Sequence, residues 1–313
     1  MKICIIGAGA LGSTIAGALA RGGADVWLAG RNRAHIEAIN QRGLELLEGD
    51  VSTRVVVQAR SRIEGIGIAD LVIILVKSFD TRAAIESART LLGPETVVMS
   101  LQNGLGHEDI LADVAGRAQV LGAKTYVGGV WLAPGRVRAG IAGKETIIGE
   151  LDGTTTQRVR DIAEVLNAGG LLTHVSSNIM GTMWDKLLVN VAGGALTAIT
   201  RLTYGGLYSL PALEETALAA IAEAMDVARA HGVALSVTEP REAWEKARAG
   251  LPPQFKTSML QSLEKGQKTE IDFIHGAVLR WGKAAGVPTP VNATLAACVK
   301  GIELARTDYP GKA

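Results

Sequence analysis

The chain has 313 residues, with 32 Lys and Arg against 31 Asp and Glu and a formal net charge of +1. With 48% apolar and 20% charged residues it is globular rather than disordered, and the balanced charge leaves no basic footprint for nucleic acid or an anionic membrane. Its two cysteines, Cys4 and Cys298, lie at opposite ends of the chain, make neither a metal spacing nor a disulfide framework, and favour a reducing cytoplasm.

The first half alternates strand and helix signals. Lys2–Gly7 reads as a buried strand, Ala10–Arg21 as a helix, Asp25–Ala29 as a strand and Ala34–Arg42 as a helix. The uncharged run from Ile3 to Ala20 resembles a secretory leader, but its four glycines suit a strand, a turn and a helix start better. Val55–Ala59 reads as a short strand and Asp70–Val76 as a fully buried one. A helix over Thr81–Leu92, a strand over Thr96–Leu101 and a helix over His107–Ala115 follow. Short extended pieces are expected at Val127–Ala133, Gly135–Ala139 and Glu145–Gly149, then a helix over Thr154–Ala168 and a strand over Leu171–Val175. Parallel strands need helical crossovers, so this rhythm predicts a doubly wound α/β sheet. From Asn178 onward the pattern is helical: Asn178–Ile199, Pro211–His231, Glu239–Arg248, Lys256–Lys265, Thr269–Gly286 and Val291–Arg306. The expected layout is a Rossmann domain over 1–176 and an all-helical domain over 177–313.

Gly7-Ala8-Gly9-Ala10-Leu11-Gly12 is a GxGxxG run directly after a strand and before a helix. The first glycine allows the turn, the second admits a pyrophosphate to the backbone, and the third lets helix and strand pack closely. The helix start then offers N–H groups to the anion. An NAD site should carry an acid at the end of the second strand. Asp25 comes too early for that, and Arg31 and Arg33 follow the strand instead. Guanidinium suits a 2′-phosphate, so NADP(H) is the expected cofactor, unless these are solvated loop arginines. Lys77 and Asn103 stand at two further strand ends, where open α/β sheets bind ligands. Either is also an ordinary turn residue.

In the helical half, Lys186 and Asn190 are four residues apart on one face of an otherwise apolar helix. A desolvated lysine has a lowered pKa that suits proton transfer. A lysine reaching to solvent, or pairing with Asp185, is the alternative. Glu270 shares a predicted helix face with Phe273, Ile274 and Ala277 and needs a partner or a ligand there; its first-turn position also suits the helix dipole. Ser258 is a polar contact or a helix cap.

These residues together resemble the ketopantoate reductases (2-dehydropantoate 2-reductases) over essentially the whole chain. The matching pieces are KICIIGAGALG, VKSF at Lys77, QNG at Asn103, WDKLLVN at Lys186, ALTAI at 195–199, TSMLQ at Ser258 and KTEIDFIHG at Glu270. The resemblance implies a Rossmann domain and a helical domain with the active site in the cleft between them. It implies that Lys186 is the general acid and that Glu270 holds a substrate hydroxyl or the reacting oxygen. Asn103 would lie near the nicotinamide and Lys186, Asn190 and Ser258 would contact the substrate, and Lys77 and Arg31 would bind the cofactor. The expected reaction is NADPH-dependent reduction of ketopantoate to pantoate in coenzyme A synthesis. The expected partner is a small 2-oxo acid, with no nucleic acid, no membrane and no metal, and a homodimer is the expected assembly.

Three positions depart from the family pattern: Gly194, Phe255 and His275 stand where an asparagine is common. Losing amides and gaining a phenyl ring predicts a weaker grip on the distal hydroxyl of ketopantoate, with branched or aromatic 2-oxo acids reduced comparably or better. A reductase of another 2-oxo acid is therefore the second expectation. A silent NADP-binding sensor is the third, although it would need neither Lys186 nor Glu270.

Overall fold

The computed structural model describes residues 1–307. The chain divides into two compact units, one formed by Met1–Gln102 with His107–Ile179, the other by Asn103–Gly106 with the chain from Met180 onward.

In the first unit the strands and helices run β1 (Lys2–Ile6), α1 (Ala10–Arg21), β2 (Asp25–Ala29), α2 (Arg33–Arg42), β3 (Leu44–Glu48), β4 (Val51–Val55), β5 (Gln58–Arg60), β6 (Leu71–Ile74), α3 (Thr81–Ser87), β7 (Val97–Ser100), α4 (His107–Ala115), β8 (Val120–Thr125), β9 (Gly128–Ala133), β10 (Arg136–Gly140), β11 (Thr146–Glu150), α5 (Gln157–Ala168) and β12 (Thr173–Val175). Eight strands form one sheet in the order β12-β11-β8-β7-β6-β1-β2-β5. Every pairing in it is parallel except β8 with β11. Every residue of β6 and β7 is buried, which is why both read as unbroken apolar runs. The doubly wound α/β fold read from the sequence is the fold observed.

A second sheet, β4-β3-β10-β9, was not expected. The predicted strand Val55–Ala59 is replaced by the end of β4 and the start of β5, with Val56 between them 89% exposed. This second sheet explains the uncharged run that resembles a leader. Helix α1 is buried from Gly12 to Leu19, and a side chain at Gly17 would run into Leu46 of β3. A helix covered on more than one side has no use for a polar face. His35 ties the layers together: its Nδ1 accepts from the Gly135 N–H at 2.9 Å, so its Nε2–H donates to Ser13 Oγ at 2.9 Å.

The second unit contains α6 (Ile179–Thr200, whose first residue lies in the first unit), α7 (Tyr204–Leu207), α8 (Pro211–Ala230), α9 (Pro240–Arg248), α10 (Ser258–Glu264), a 3₁₀ turn (Ile271–Phe273), α11 (His275–Ala285) and α12 (Pro290–Thr307). Pro211, Pro240 and Pro290 each open a helix, where a missing N–H costs nothing. Trp184 of α6 is fully buried and meets Trp281 of α11 edge to face, with ring centroids 5.7 Å apart. Among the described residues no helix is long and apolar enough to cross a membrane.

Candidate active site

The turn between β1 and α1 has the geometry a dinucleotide requires. Gly7 has φ +123°, and any side chain there would collide with the Leu75 carbonyl. A side chain at Gly12 would collide with the Gly7 carbonyl oxygen. Gly9 is different: a Cβ built on it meets nothing within 4 Å. It is also the N-cap of α1, and no side chain caps that helix. Open space thus lies where uncapped helix N–H groups await an anion, and this cradle fits the pyrophosphate of a nicotinamide dinucleotide. Ala8 is buried beneath Gly30, while Ala10 and Leu11 form the first turn of α1. Gly9 has φ −80° and ψ −172°, which alanine tolerates. Gly9→Ala is therefore expected to leave the melting temperature nearly unchanged. It should weaken NADPH and NADH alike, by about tenfold or more, because an added methyl costs 1–3 kcal/mol where it must be accommodated. Unaltered titration curves for both cofactors would remove this turn from the binding site.

Arg31 follows β2 on an exposed loop, and its backbone is well held. The Gly30 N–H donates to the Arg60 carbonyl at 3.0 Å, and Asn32 caps α2 by accepting from the His35 N–H at 3.1 Å. Lys77 is exposed after β6, at the start of a 3₁₀ turn, Ser78–Asp80. Sheet order puts β1 between β2 and β6, so Arg31 and Lys77 stand at neighbouring strand ends on either side of the glycine turn. The contact that joins them was not anticipated from sequence. Asp80, three residues after Lys77, accepts from Arg31 at 2.7 Å. Gln102 was also missed. It is buried, its Nε2 donates to the Val76 carbonyl at 2.7 Å, and its Oε1 accepts from Ser100 Oγ at 2.8 Å. It fastens the Lys77 turn to the end of β7. An amide beside Asn103 was its only mark in the sequence.

In the second unit, α6 carries two stripes. Trp184, Leu187, Leu188, Val191 and Ala195 are buried at helical spacing. Lys186, Asn190, Gly194 and Thr197 lie on another face, four, eight and eleven residues along. Lys186 is half-buried, and the buried Asn190 Nδ2 has no hydrogen-bond partner among the described residues. A buried amide left unpaired costs about 1–3 kcal/mol, which an oxygen of a ligand would offset. The Asp185 carboxylate accepts from the Ser236 N–H at 3.0 Å. The same stripe meets the start of α10. Thr197 Oγ1 and Thr257 Oγ1 are 2.7 Å apart, and a Cβ at Gly194 would lie 3.5 Å from the Met259 methyl. Thr257 caps α10, leaving Ser258 exposed as its first residue.

Asn103 belongs to the tetrapeptide Asn103–Gly106 of this unit. Gly104 has φ +99° and abuts the Phe273 carbonyl, and the Leu105 N–H donates to that same oxygen at 2.9 Å. The QNG motif is thus seated on the turn that Glu270 opens. The helix expected over Thr269–Gly286 does not start at Thr269. Glu270 does not lie in the first turn of an α-helix; it precedes the 3₁₀ turn Ile271–Phe273, and α11 begins only at His275.

Two of the departures from the family pattern belong to packing. His275 is fully buried and donates from Nδ1 to Asn292 Oδ1 at 2.8 Å, and the Asn292 Nδ2 donates to Glu223 and to the Ala220 carbonyl. Phe255 meets Tyr204 edge to face at 5.0 Å. Of the three, only Gly194 lies on the stripe of Lys186 and Asn190.

The profile described as ketopantoate reductase PanE/ApbA matches residues 3–153, and its C-terminal counterpart matches residues 178–303. The chain belongs to the ketopantoate reductase family. A 2-dehydropantoate 2-reductase of Pyrococcus horikoshii is 36% identical to it over 303 residues, 97% of this chain and 98% of the relative. A ketopantoate reductase family structure from Ralstonia eutropha JMP134 superposes with a TM-score of 0.89 at 35% identity, covering 98% of this chain and all 100% of the other. D-mandelate dehydrogenase with NADH and anilino(oxo)acetate superposes with a TM-score of 0.90 at 26% identity, covering 98% and 100%. The family scaffold thus also occurs in a protein named for a different hydroxy acid.

Proposed function

We propose that this ketopantoate reductase family member reduces 2-dehydropantoate to pantoate with NADPH, a step toward coenzyme A. The observation that carries the reading is the α6 stripe, where the unpaired Asn190 amide lies one turn from Lys186. When bound, NADPH supplies the hydride. The ammonium of Lys186 gives its proton to the carbonyl oxygen and stabilises the negative charge that develops there. Asn190 donates its free amide hydrogens to the substrate, and Ser258 offers a hydroxyl to the carboxylate. Glu270 accepts from the substrate hydroxyl and helps to place Lys186. Asn103, held by the Glu270 turn, borders the nicotinamide. The Gly7–Gly12 turn takes the pyrophosphate, with Arg31 on the 2′-phosphate and Lys77 beside it.

We place the protein in the cytoplasm on its cysteine usage: burial pushes the Cys4 thiol up to about 12 and keeps it inert, and Cys298 is an exposed thiol. A homodimer is the proposed assembly, and sedimentation equilibrium tests it. The likeness to D-mandelate dehydrogenase favours one second reading, in which an aromatic 2-oxo acid is the substrate. With His275 and Phe255 engaged in packing, two supports for a relaxed pocket are gone. A site that hydrogen-bonds a hydroxyl rejects an analogue lacking it, here by about a hundredfold or more. The ratio of kcat/KM for 2-dehydropantoate and its analogue without the 4-hydroxyl is therefore expected to reach that size. A ratio near one, with phenylglyoxylate turned over faster, would establish the second reading instead.

A further inference from the structure

We propose that Asp80 sets the preference between NADPH and NADH by competing for Arg31. The inference rests on the reading of Arg31 as the residue that meets the 2′-phosphate. Asp80 occupies the N-cap position of α3, where an aspartate ordinarily accepts from the helix N–H groups. Its side chain makes no such bond. The carboxylate reaches Arg31 instead, with Oδ2 2.7 Å from the guanidinium.

Both ends of this pair are mounted on fixed backbone. The Arg31 loop is held by the Gly30 and Asn32 hydrogen bonds. The Asp80 turn is held by Gln102 and by Thr81, whose hydroxyl donates to the Ser78 carbonyl at 2.8 Å. Only side chains are left to choose partners. The Arg31 side chain is 88% exposed and the Asp80 side chain 29%. The arginine is therefore open to an incoming anion while the aspartate stays in place beside it.

The charge balance decides the consequence. Arg31 alone offers one positive charge to a phosphate that carries close to two negative ones. With Asp80 in contact that charge is offset, and the phosphate must draw the guanidinium away or share it beside a carboxylate. The ribose hydroxyl of NADH carries no charge and is not subject to this competition. An acid is absent from the end of β2, where an NAD-preferring site would carry one; Asp80 supplies one from the neighbouring loop. The result is an NADPH preference held below what Arg31 alone would give.

The test is calorimetric titration of the full-length protein with NADPH, NADH and adenosine 2′,5′-bisphosphate. Asp80→Asn is expected to tighten NADPH and the bisphosphate about three- to fivefold, the size of an exposed ion pair, and to leave NADH within about twofold. Asp80→Glu should restore the wild-type ratio. In an Arg31→Ala background the same change at Asp80 should move NADPH by less than about twofold, since the competition needs both partners. An unchanged NADPH to NADH ratio in Asp80→Asn would overturn the proposal. So would weaker NADPH binding, which would make Asp80 a support that orients Arg31. Arg31→Ala alone separates this from the underlying reading. It should weaken NADPH by about tenfold or more and spare NADH. Equal losses for both cofactors would remove Arg31 from the 2′-phosphate, whatever Asp80 does.

Discussion

Lys186→Ala is expected to lower kcat by about 10²–10⁴-fold while the dissociation constant of NADPH stays within about twofold. Proton donation is needed only in the transition state, so its loss falls on turnover and not on ground-state binding. Alanine is the best helix former, and the buried stripe of Trp184, Leu187, Leu188 and Val191 does not include Lys186, so α6 should persist. Lys186→Arg gives a second reading of the same position. A guanidinium keeps the charge but does not release its proton, so this variant should recover some electrostatic support and lose the basic limb of the pH–rate profile. Rapid-mixing measurement of NADPH oxidation under single-turnover conditions would isolate the chemical step. A Lys186→Ala enzyme that retained most of its turnover would show the proton coming from elsewhere.

The second large effect concerns acid. Burial holds the rings of His35 and His275 down to about 4, and in His275 the bond to Asn292 opposes that shift only in part. In the unfolded chain both titrate near 6.5. Their contribution to stability is therefore complete above pH 6.5. It is lost as the pH falls toward 4, because the unfolded state binds the protons first. A gap of this size is worth about 3 kcal/mol for each ring. The chemistry agrees with the direction. A proton on His35 Nδ1 would face the Gly135 N–H that now donates to it, and a proton on His275 Nε2 would have no acceptor. Urea unfolding midpoints measured from pH 7 to pH 4 should fall steeply. In His275→Asn, which keeps an amide donor for Asn292, about half of that fall should disappear. A variant with the wild-type pH profile would contradict the assignment.

What could be read from the sequence was local. The tight turn at Gly7, the close packing at Gly12 and the open space at Gly9 follow from a turn of six residues. The stripe of Lys186 and Asn190 follows from helix periodicity alone. The strands β6 and β7 announce themselves because both of their faces are covered. What could not be read depends on distant partners. Strand β3 lies beside β10, with Leu46 paired to Val137; β10 alternates cleanly but β3 does not, and nothing in either segment names the other as its neighbour. The valines at 55–57 form a β-branched run, yet the chain changes sheets within it. Glu270, Phe273, Ile274 and Ala277 have helical spacing, but the Phe273 carbonyl accepts from Leu105, and Ile274 departs from helical geometry with ψ −89°. The meeting of Asp80 with Arg31 depends on the order of strands across the sheet, which no local pattern records.

The tetrapeptide Asn103–Gly106 has a consequence for how this chain can be made, divided or recombined. It is synthesised before its seat at Phe273 exists, so the second unit is completed by a piece laid down some 170 residues earlier in the chain. A gene split after Ile179 would give a C-terminal fragment without the Leu105 N–H for the Phe273 carbonyl, and an N-terminal fragment with a loop that has nowhere to dock. Exchange of helical units between relatives meets the same obstacle: the borrowed unit must accept the host's Asn103–Gly106, or bring its own. A single crossover near residue 179 therefore transfers most of the second unit but leaves behind the segment that carries Asn103.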